Sequence, residues 1–371
     1  MNRKIIISGG GTGGHIFPAL SIASEIKKRD PGASILFVGA LGRMEMEKIP
    51  AAGFPIIGLP VEGLQRKSGL RNFVVLYKLM VSLFKAGKIL KSFKPDVAVG
   101  VGGYASGPLL RMAAFKNIPS LIQEQNSYAG VTNRLLARSA AKICVAYPGM
   151  DKYFPGEKIV LTGNPVREEL INQNIKREQA CEFFHIPPDK PVLLVLGGSL
   201  GARTVNSSIL GQIEAFEKDN VILIWQTGRL YFDRIKEELD ARSLQHVKYY
   251  DFIHRMDLAY RVADVIVSRA GAATISEVCL LGKPLILVPS PNVAEDHQTK
   301  NAMVLVKNNA ALMIPDKEAP EKLVFEALTL LHNETQRTEL GDNCAKMALK
   351  NSTAKIVDEI FKLVNKGEPA G

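Results

Sequence analysis

Of the six histidines in this chain of 371 residues, His15 stands where a histidine could do chemistry. It closes the run Ser8-Gly-Gly-Gly-Thr-Gly-Gly-His15, just after the apolar Ile5-Ile6-Ile7 and just before Ile16-Phe17-Pro18. An apolar strand that breaks into glycines and then into a helix aims backbone N–H groups at an anionic or polar ligand. The positive end of that helix disfavours an imidazolium, so His15 stays neutral near pH 7 and can take a proton. Glu124 is the alternative base. The loop also satisfies G-x-G-x-x-G through Gly9, Gly11 and Gly14. A dinucleotide site needs, in addition, an acid near the end of the second strand to hold a ribose hydroxyl. That strand reads Leu36-Phe-Val-Gly-Ala-Leu-Gly42 with no acid, and Asp30 lies before it. A dehydrogenase is therefore not expected.

Other clusters have the same character. Val99-Gly-Val-Gly-Gly-Tyr-Ala-Ser-Gly-Pro108 is a second glycine loop at a strand end, and two such loops suit a large ligand rich in oxygens, such as a diphosphate. In Gly197-Gly-Ser-Leu-Gly-Ala202 the backbone, the Ser199 hydroxyl and a helix dipole could bind a diphosphate. Ser268–Glu277 leads small residues into a helix, where the Glu277 carboxylate could take two hydrogen bonds from a ribose diol. Asp296, Gln298 or Asn301 could reach a sugar from the polar stretch after Pro289. Gln123-Glu-Gln-Asn126 places four polar side chains at a strand end, which is costly unless they are solvated or hydrogen-bonded. No H-E-x-x-H, paired Cys/His spacing or strand-end D-x-D calls for a metal, and no cofactor is expected. The G-x-S-x-G elbow and the P-loop are also missing, which removes the hydrolase and ATPase readings.

The elements that must position these residues alternate along the chain. Strands are expected at 4–8, 34–38, 97–101, 120–123 and 142–145. A second series is expected at 192–196, 221–226, 247–250, 265–268 and 285–288. Helical periodicity marks Pro18–Lys28, Arg134–Ser139 and the last helix, about Ser352–Asn365. Continuous apolar strands separated by helices imply parallel sheets covered on both faces. Lys4–Gly14 and Pro191–Gly201 open the two series in the same way, so the fold class is α/β with two Rossmann-like, doubly wound domains. The boundary falls near Thr162-Gly-Asn-Pro-Val-Arg167, where a short strand is expected to end in Gly-Asn-Pro. Ligands of such sheets bind at the carboxyl ends of the strands, in a cleft that two facing domains would share.

Composition is that of a globular protein, with 46% hydrophobic and 23% charged residues. No signal peptide is visible, and nothing approaches the ~18 uninterrupted apolar residues of a membrane span. The four cysteines form no C-x-x-C pair and read as buried free thiols. A net charge of +10 points to anionic partners. Aromatic–basic interleaving is scarce, so nucleic acid is not expected. The cations concentrate between Glu62 and Asp96, where Arg66, Lys67, Arg71, Lys78, Lys85, Lys88, Lys91 and Lys94 occur without an acid. From Asn72 to Lys94 the spacing is helical. Phe73, Leu76, Met80, Leu83, Phe84 and Leu90 are expected on one apolar face, with Lys78 and Lys85 pointing away. That combination suits docking on anionic lipid headgroups.

Taken in order, these runs resemble the MurG family, the peripheral membrane N-acetylglucosaminyltransferases of peptidoglycan synthesis. The matching stretches are Gly10–Pro18, Gly102–Pro108, Gln123–Asn126, Thr162–Arg167, Gly197–Arg203, Asp251-Phe-Ile253 with Met256, Ser268–Glu277 and Asp296-His-Gln298. The resemblance implies a GT-B fold and inverting transfer of N-acetylglucosamine from UDP-N-acetylglucosamine. The acceptor it implies is the C4 hydroxyl of the muramyl sugar of undecaprenyl-diphosphate-linked muramyl-pentapeptide (lipid I), giving the β-1,4-linked lipid II. It assigns residues 1–163 to acceptor and membrane, 164–351 to the UDP-sugar, and 352–371 to a closing helix able to pack back on the first domain. Donor contacts carry over to Thr12, Gly13, Gly14, Asn126, Arg167, Ser199, Ile253, Ala272, Ala273, Thr274, Ile275, Ser276, Glu277 and Gln298. Among them Ile253 would hold uracil through its backbone, Glu277 the ribose, Ser199 phosphate, and Asn126 and Gln298 the sugar. Gly103 and Tyr104 fall on the acceptor side. The implied location is peripheral, on the cytoplasmic face of the inner membrane, with other cell-wall enzymes as possible partners.

Overall fold

The computed structural model describes residues 2–63, 71–166 and 175–366. The chain divides into two compact units. One holds the residues up to Val166 together with those from Leu349 onward, and the other holds the stretch between them.

The first unit is built on a parallel seven-stranded sheet: β1 (Lys4–Ser8), β2 (Ser34–Ala40), β3 (Ile56–Leu59), β4 (Val97–Gly100), β5 (Ser120–Glu124), β6 (Lys142–Val145) and β7 (Ile159–Leu161). Their order is β3-β2-β1-β4-β5-β6-β7. Side chains alternate across the strands, so β1 feeds both faces. Ile5 and Ile7 pack with Val97, Val99 and Leu121 under the helix Gly13–Arg29 and the C-terminal helix Ser352–Lys366. Ile6 packs with Ala98 and Ile122 under the helices Arg71–Phe93 and Ser106–Phe115. The C-terminal helix contributes Ile356, Val357, Ile360, Leu363 and Val364, and is tied to the N-terminal helix by an Arg29–Asp358 ion pair of 2.6 Å.

The second unit repeats the plan with β8 (Val192–Leu196), β9 (Ile222–Gln226), β10 (Val247–Tyr250), β11 (Val265–Ser268), β12 (Leu285–Leu287) and β13 (Leu312–Met313). All pairs are parallel, in the order β10-β9-β8-β11-β12-β13. Both sheets therefore reverse direction of winding beside their first strand, between β1 and β4 and between β8 and β11. That is the switch point where doubly wound folds bind ligands. Arg177 clasps the base of this sheet: its two terminal nitrogens each donate to an Asp264 oxygen at 3.0 Å, and Asp264 also accepts from Val192 N–H.

Several sequence expectations need correction. The strands β3 and β13 were not foreseen; they are short edge strands of four and two residues, although Ile56-Ile-Gly-Leu59 and Ala310–Ile314 are apolar. The first helix starts at Gly13, not at Pro18. Proline favours a first helical position, but here Thr12 O accepts from His15 and Ile16 N–H and starts the helix earlier, through two glycines. The helix expected over 134–139 runs Val131–Leu136 instead. All four cysteines are buried and free, with Cys279 Sγ 3.1 Å from Cys344 Sγ.

The basic helix Arg71–Phe93 has two apolar faces, not one. Ala86, Ile89 and Leu90 are packed against the sheet, and Val75 is buried. Phe73, Leu76, Tyr77, Met80 and Phe84 form a second stripe at i, i+3, i+4, i+7 and i+11, with Phe73, Tyr77 and Phe84 being 73%, 70% and 67% exposed. Leu90 thus belongs to the core and not with Phe73. Lys85 does not point away: its Nζ donates to Gly58 O at the edge of the sheet, and Lys78 pairs with Glu62. Arg66 and Lys67 lie outside the described residues.

Candidate active site

At the switch point of the first unit, Ser8 and Gly100 are paired at the ends of β1 and β4, so both glycine loops leave from adjacent positions. They interlock. A Cβ on Gly103 would lie 2.4 Å from Gly10 O, and one on Gly102 would lie 2.8 Å from His15 Nε2. Gly102 and Gly103 adopt positive φ, 94° and 87° respectively, so a side chain is excluded by backbone as well as by space. His15 is half-buried against Gly102, and its Nδ1 lies 3.0 Å from Gly10 O. A carbonyl only accepts, so Nδ1 carries the proton and Nε2 is the acceptor nitrogen of the neutral ring. Thr12 is exposed beside it, as are Gly14 and Tyr104, with Gly13 partly so. Ser106 Oγ donates to Gly103 O and steadies the second loop.

Glu124 sits differently. It is buried at the end of β5, and its two oxygens accept from Asn126 N–H, the Asn126 amide, Gly130 N–H and the Asn133 amide at 2.8–3.3 Å. Gln123 donates to Asn164, and Gln125 to Val101 O. The polar run is thus satisfied within the protein, and Glu124 organises the loop that carries Asn126. Sequence reasoning missed Glu45. It is fully buried at the head of the helix Glu45–Ala51 and accepts from Gly11 N–H at 2.9 Å and from Ala40 N–H at 3.0 Å. Its signal was an acid three residues beyond the segment searched for a ribose carboxylate. It turns toward the loop backbone.

In the second unit the donor candidates follow successive strand ends. Ser199 is exposed on the loop after β8, which carries Gly198 and Gly201 at positive φ. Ile253 follows β10, and its N–H donates to Gln226 Oε1 at 2.9 Å. The helix Ala272–Leu281 follows β11; its N-terminal residues Ala272, Ala273, Thr274, Ile275 and Ser276 precede Glu277, whose Oε2 accepts from Tyr260 OH at 2.9 Å. Gln298 follows β12 and accepts from Ser290 N–H. A cavity of about 550 Å³ opens here, lined by Gly201, Thr204, Tyr231, Arg269, Gln298 and Asp316 among others. Arg269 and Asp316 form an ion pair in its wall. Arg269 also donates to Val288 O, and Thr204 Oγ1 to Asp316. This network was not foreseen, because its members lie on four separate segments. Arg167 lies outside the described residues.

Comparison with known proteins settles the family. Residues 5–145 match the glycosyltransferase family 28 N-terminal domain, and residues 192–360 match the glycosyltransferase family 28 C-terminal domain. A Parabacteroides distasonis protein named UDP-N-acetylglucosamine–N-acetylmuramyl-(pentapeptide) pyrophosphoryl-undecaprenol N-acetylglucosamine transferase is 57% identical, over 98% of this chain and 99% of its own length. A Phocaeicola vulgatus protein of the same name is 55% identical over 98% and 97%. The chain belongs to the MurG family. The crystal structure of Acinetobacter baumannii MurG superposes with a TM-score of 0.77 at 29% identity, covering 98% of this chain and all of that one. A MurG-family chain has the GT-B fold, two parallel-sheet Rossmann-like domains, as expected from the sequence. It is a glycosyltransferase, and its strand-end loops are the segments quoted for the resemblance.

Proposed function

We propose that the chain transfers N-acetylglucosamine from UDP-N-acetylglucosamine to the muramyl C4 hydroxyl of lipid I, with inversion, giving the β-1,4-linked disaccharide of lipid II. One observation carries this reading: identity of 57% and 55% to transferases so named extends over 98% of this chain, and so over both units. The base is His15. Its Nδ1–H rests on Gly10 O, so Nε2 takes the C4 hydroxyl proton as that oxygen attacks the anomeric carbon of the donor. The bond from that carbon to the β-phosphate oxygen breaks on the opposite face, and UDP leaves with the electron pair. Charge developing on the diphosphate is met by backbone N–H groups of the glycine loops and by helix N-termini. Glu124, with four donors on its two oxygens, holds Asn126 in place instead of serving as base.

The donor set is Thr12, Gly13, Gly14 and Asn126 in the first unit, and Ser199, the Ile253 backbone, Ala272–Glu277 and Gln298 in the second, with Arg167. Gly103 and Tyr104 serve the acceptor. Among the described residues no helix is long and apolar enough to cross a membrane. The lipid-linked acceptor is instead met at an anionic membrane surface through the exposed stripe Phe73–Phe84, flanked by Lys88 and Lys91. The deciding experiment incubates the purified protein with labelled UDP-N-acetylglucosamine and a short-chain lipid I analogue. Labelled disaccharide-lipid is expected. Release of UDP without that product, or no turnover at all, would overturn the reading.

A further inference from the structure

The first glycine loop contains a connection that neither its motif nor the family's donor contacts explain. Glu45 lies 34 residues from Gly11 in sequence and is fully buried, and its Oε2 accepts from Gly11 N–H at 2.9 Å. That N–H belongs to the Gly10–Gly11 peptide. The carbonyl of the same peptide, Gly10 O, accepts from His15 Nδ1–H at 3.0 Å. Carboxylate, one peptide unit and imidazole are therefore joined in a single chain of two hydrogen bonds. The contact is close-fitting: a Cβ on Gly10 would lie 2.2 Å from Glu45 Oε1, and one on Gly39 would lie 2.6 Å from Glu45 Cγ. Two glycines, on different strand ends, leave the space that the carboxylate fills. Ala40 N–H donates to its other oxygen at 3.0 Å and fixes its angle.

We propose that Glu45 is a positioning residue for His15 and acts through the Gly10–Gly11 peptide. An ionised acceptor on a peptide N–H polarises that peptide and makes its carbonyl a better acceptor, because linked hydrogen bonds reinforce one another. A stronger Gly10 O acceptor holds the proton on Nδ1, which leaves Nε2 as the basic nitrogen and sets the plane of the ring. A carboxylate bonded directly to a histidine does the same in hydrolytic triads and beside metal-bound histidines. Here a peptide stands between the two groups. The device answers a specific problem. His15 lies in the first turn of a helix, whose positive end opposes the charge that the ring acquires when it takes a proton. A buried carboxylate linked through one peptide opposes that effect. The proposal rests on His15 being the base.

Histidine-selective 15N NMR of the wild-type protein tests the chain of bonds without a mutation. The Nδ1–H tautomer of His15 and a downfield Gly11 amide proton are expected; an Nε2–H tautomer overturns the proposal. Glu45→Gln then tests its consequence. We expect kcat to fall about 10–100-fold with donor KM unchanged, and the Nδ1–H tautomer to lose population. A folded Glu45→Gln protein with wild-type kcat and an unaltered His15 spectrum overturns the proposal. If that variant does not fold, the wild-type spectrum decides alone. In a His15→Ala background, Glu45→Gln should cause no further loss of kcat; a further loss means that Glu45 acts apart from His15. Near-normal turnover of His15→Ala alone would remove the base reading, an outcome separate from the spectral result.

Discussion

His15 and Glu124 were equal in kind on paper: both titratable, both at a strand's carboxyl end, both in polar or glycine-rich runs. Hydrogen bonding separates them. Glu124 has four donors on two oxygens and almost no exposure, whereas His15 is half-buried with its Nδ1 proton anchored. Replacing His15 by alanine should therefore lower kcat by roughly 10²–10⁴ with donor affinity little changed. Steady-state kinetics with varied UDP-N-acetylglucosamine checks this, and near-normal kcat would exclude the base role. The glycines around His15 were legible because positive φ and close approach both demand glycine, and their clustering shows in the sequence. Glu45 was not legible, because nothing near Met44-Glu45-Met46 hints that its partner is the amide of Gly11.

At the scale of elements, most strands were readable because buried parallel strands are continuous apolar runs, whereas their order within each sheet came from the structure. The helix Arg71–Phe93 was read as one-faced because hydrophobicity alone cannot say which of two apolar stripes meets the sheet. The structure buries Val75, Ala86, Ile89 and Leu90 and leaves Phe73, Leu76, Tyr77, Met80 and Phe84 outside. This changes how the membrane proposal should be tested. Lys85 is held by Gly58 O, so reversing it would disturb the fold as well as the charge. Lys88 and Lys91 are exposed and suit the purpose. Lys88→Glu with Lys91→Glu should weaken co-sedimentation with anionic vesicles, by about 1 kcal/mol for each cation lost near the surface. Phe73→Ser with Phe84→Ser should weaken it on neutral vesicles as well. Unchanged sedimentation of both pairs would remove this helix as the docking surface.

At the scale of the molecule, the chain leaves its first unit near Val166 and returns to it at Leu349. The returning helix completes one face of the first sheet with Ile356, Val357, Ile360, Leu363 and Val364. Each such buried side chain contributes about 1.5–3 kcal/mol, and together they match the ~5–15 kcal/mol net stability of a whole domain. A chain ending at Ala348 should therefore lose the first unit's cooperative fold and keep the second. Amide exchange tests this: β1 and β4 should lose protection while β8 and β11 retain theirs. Persistent protection of β1 would show that the helix is an accessory.

The amino-acid sequence by itself determined the two α/β units, the ordered strand-end loops and, through them, the family. These depend on short-range properties: apolar periodicity, glycine's freedom at positive φ, and the polarity of residues that follow a strand. Only the tertiary structure decided what each polar group touches. It placed Glu45 beneath the loop of His15, bound Glu124 into its own turn, joined Arg269 to Asp316, and chose the buried face of the basic helix. Those outcomes depend on which distant segments packing brings within hydrogen-bond reach, and a linear pattern does not contain that distance.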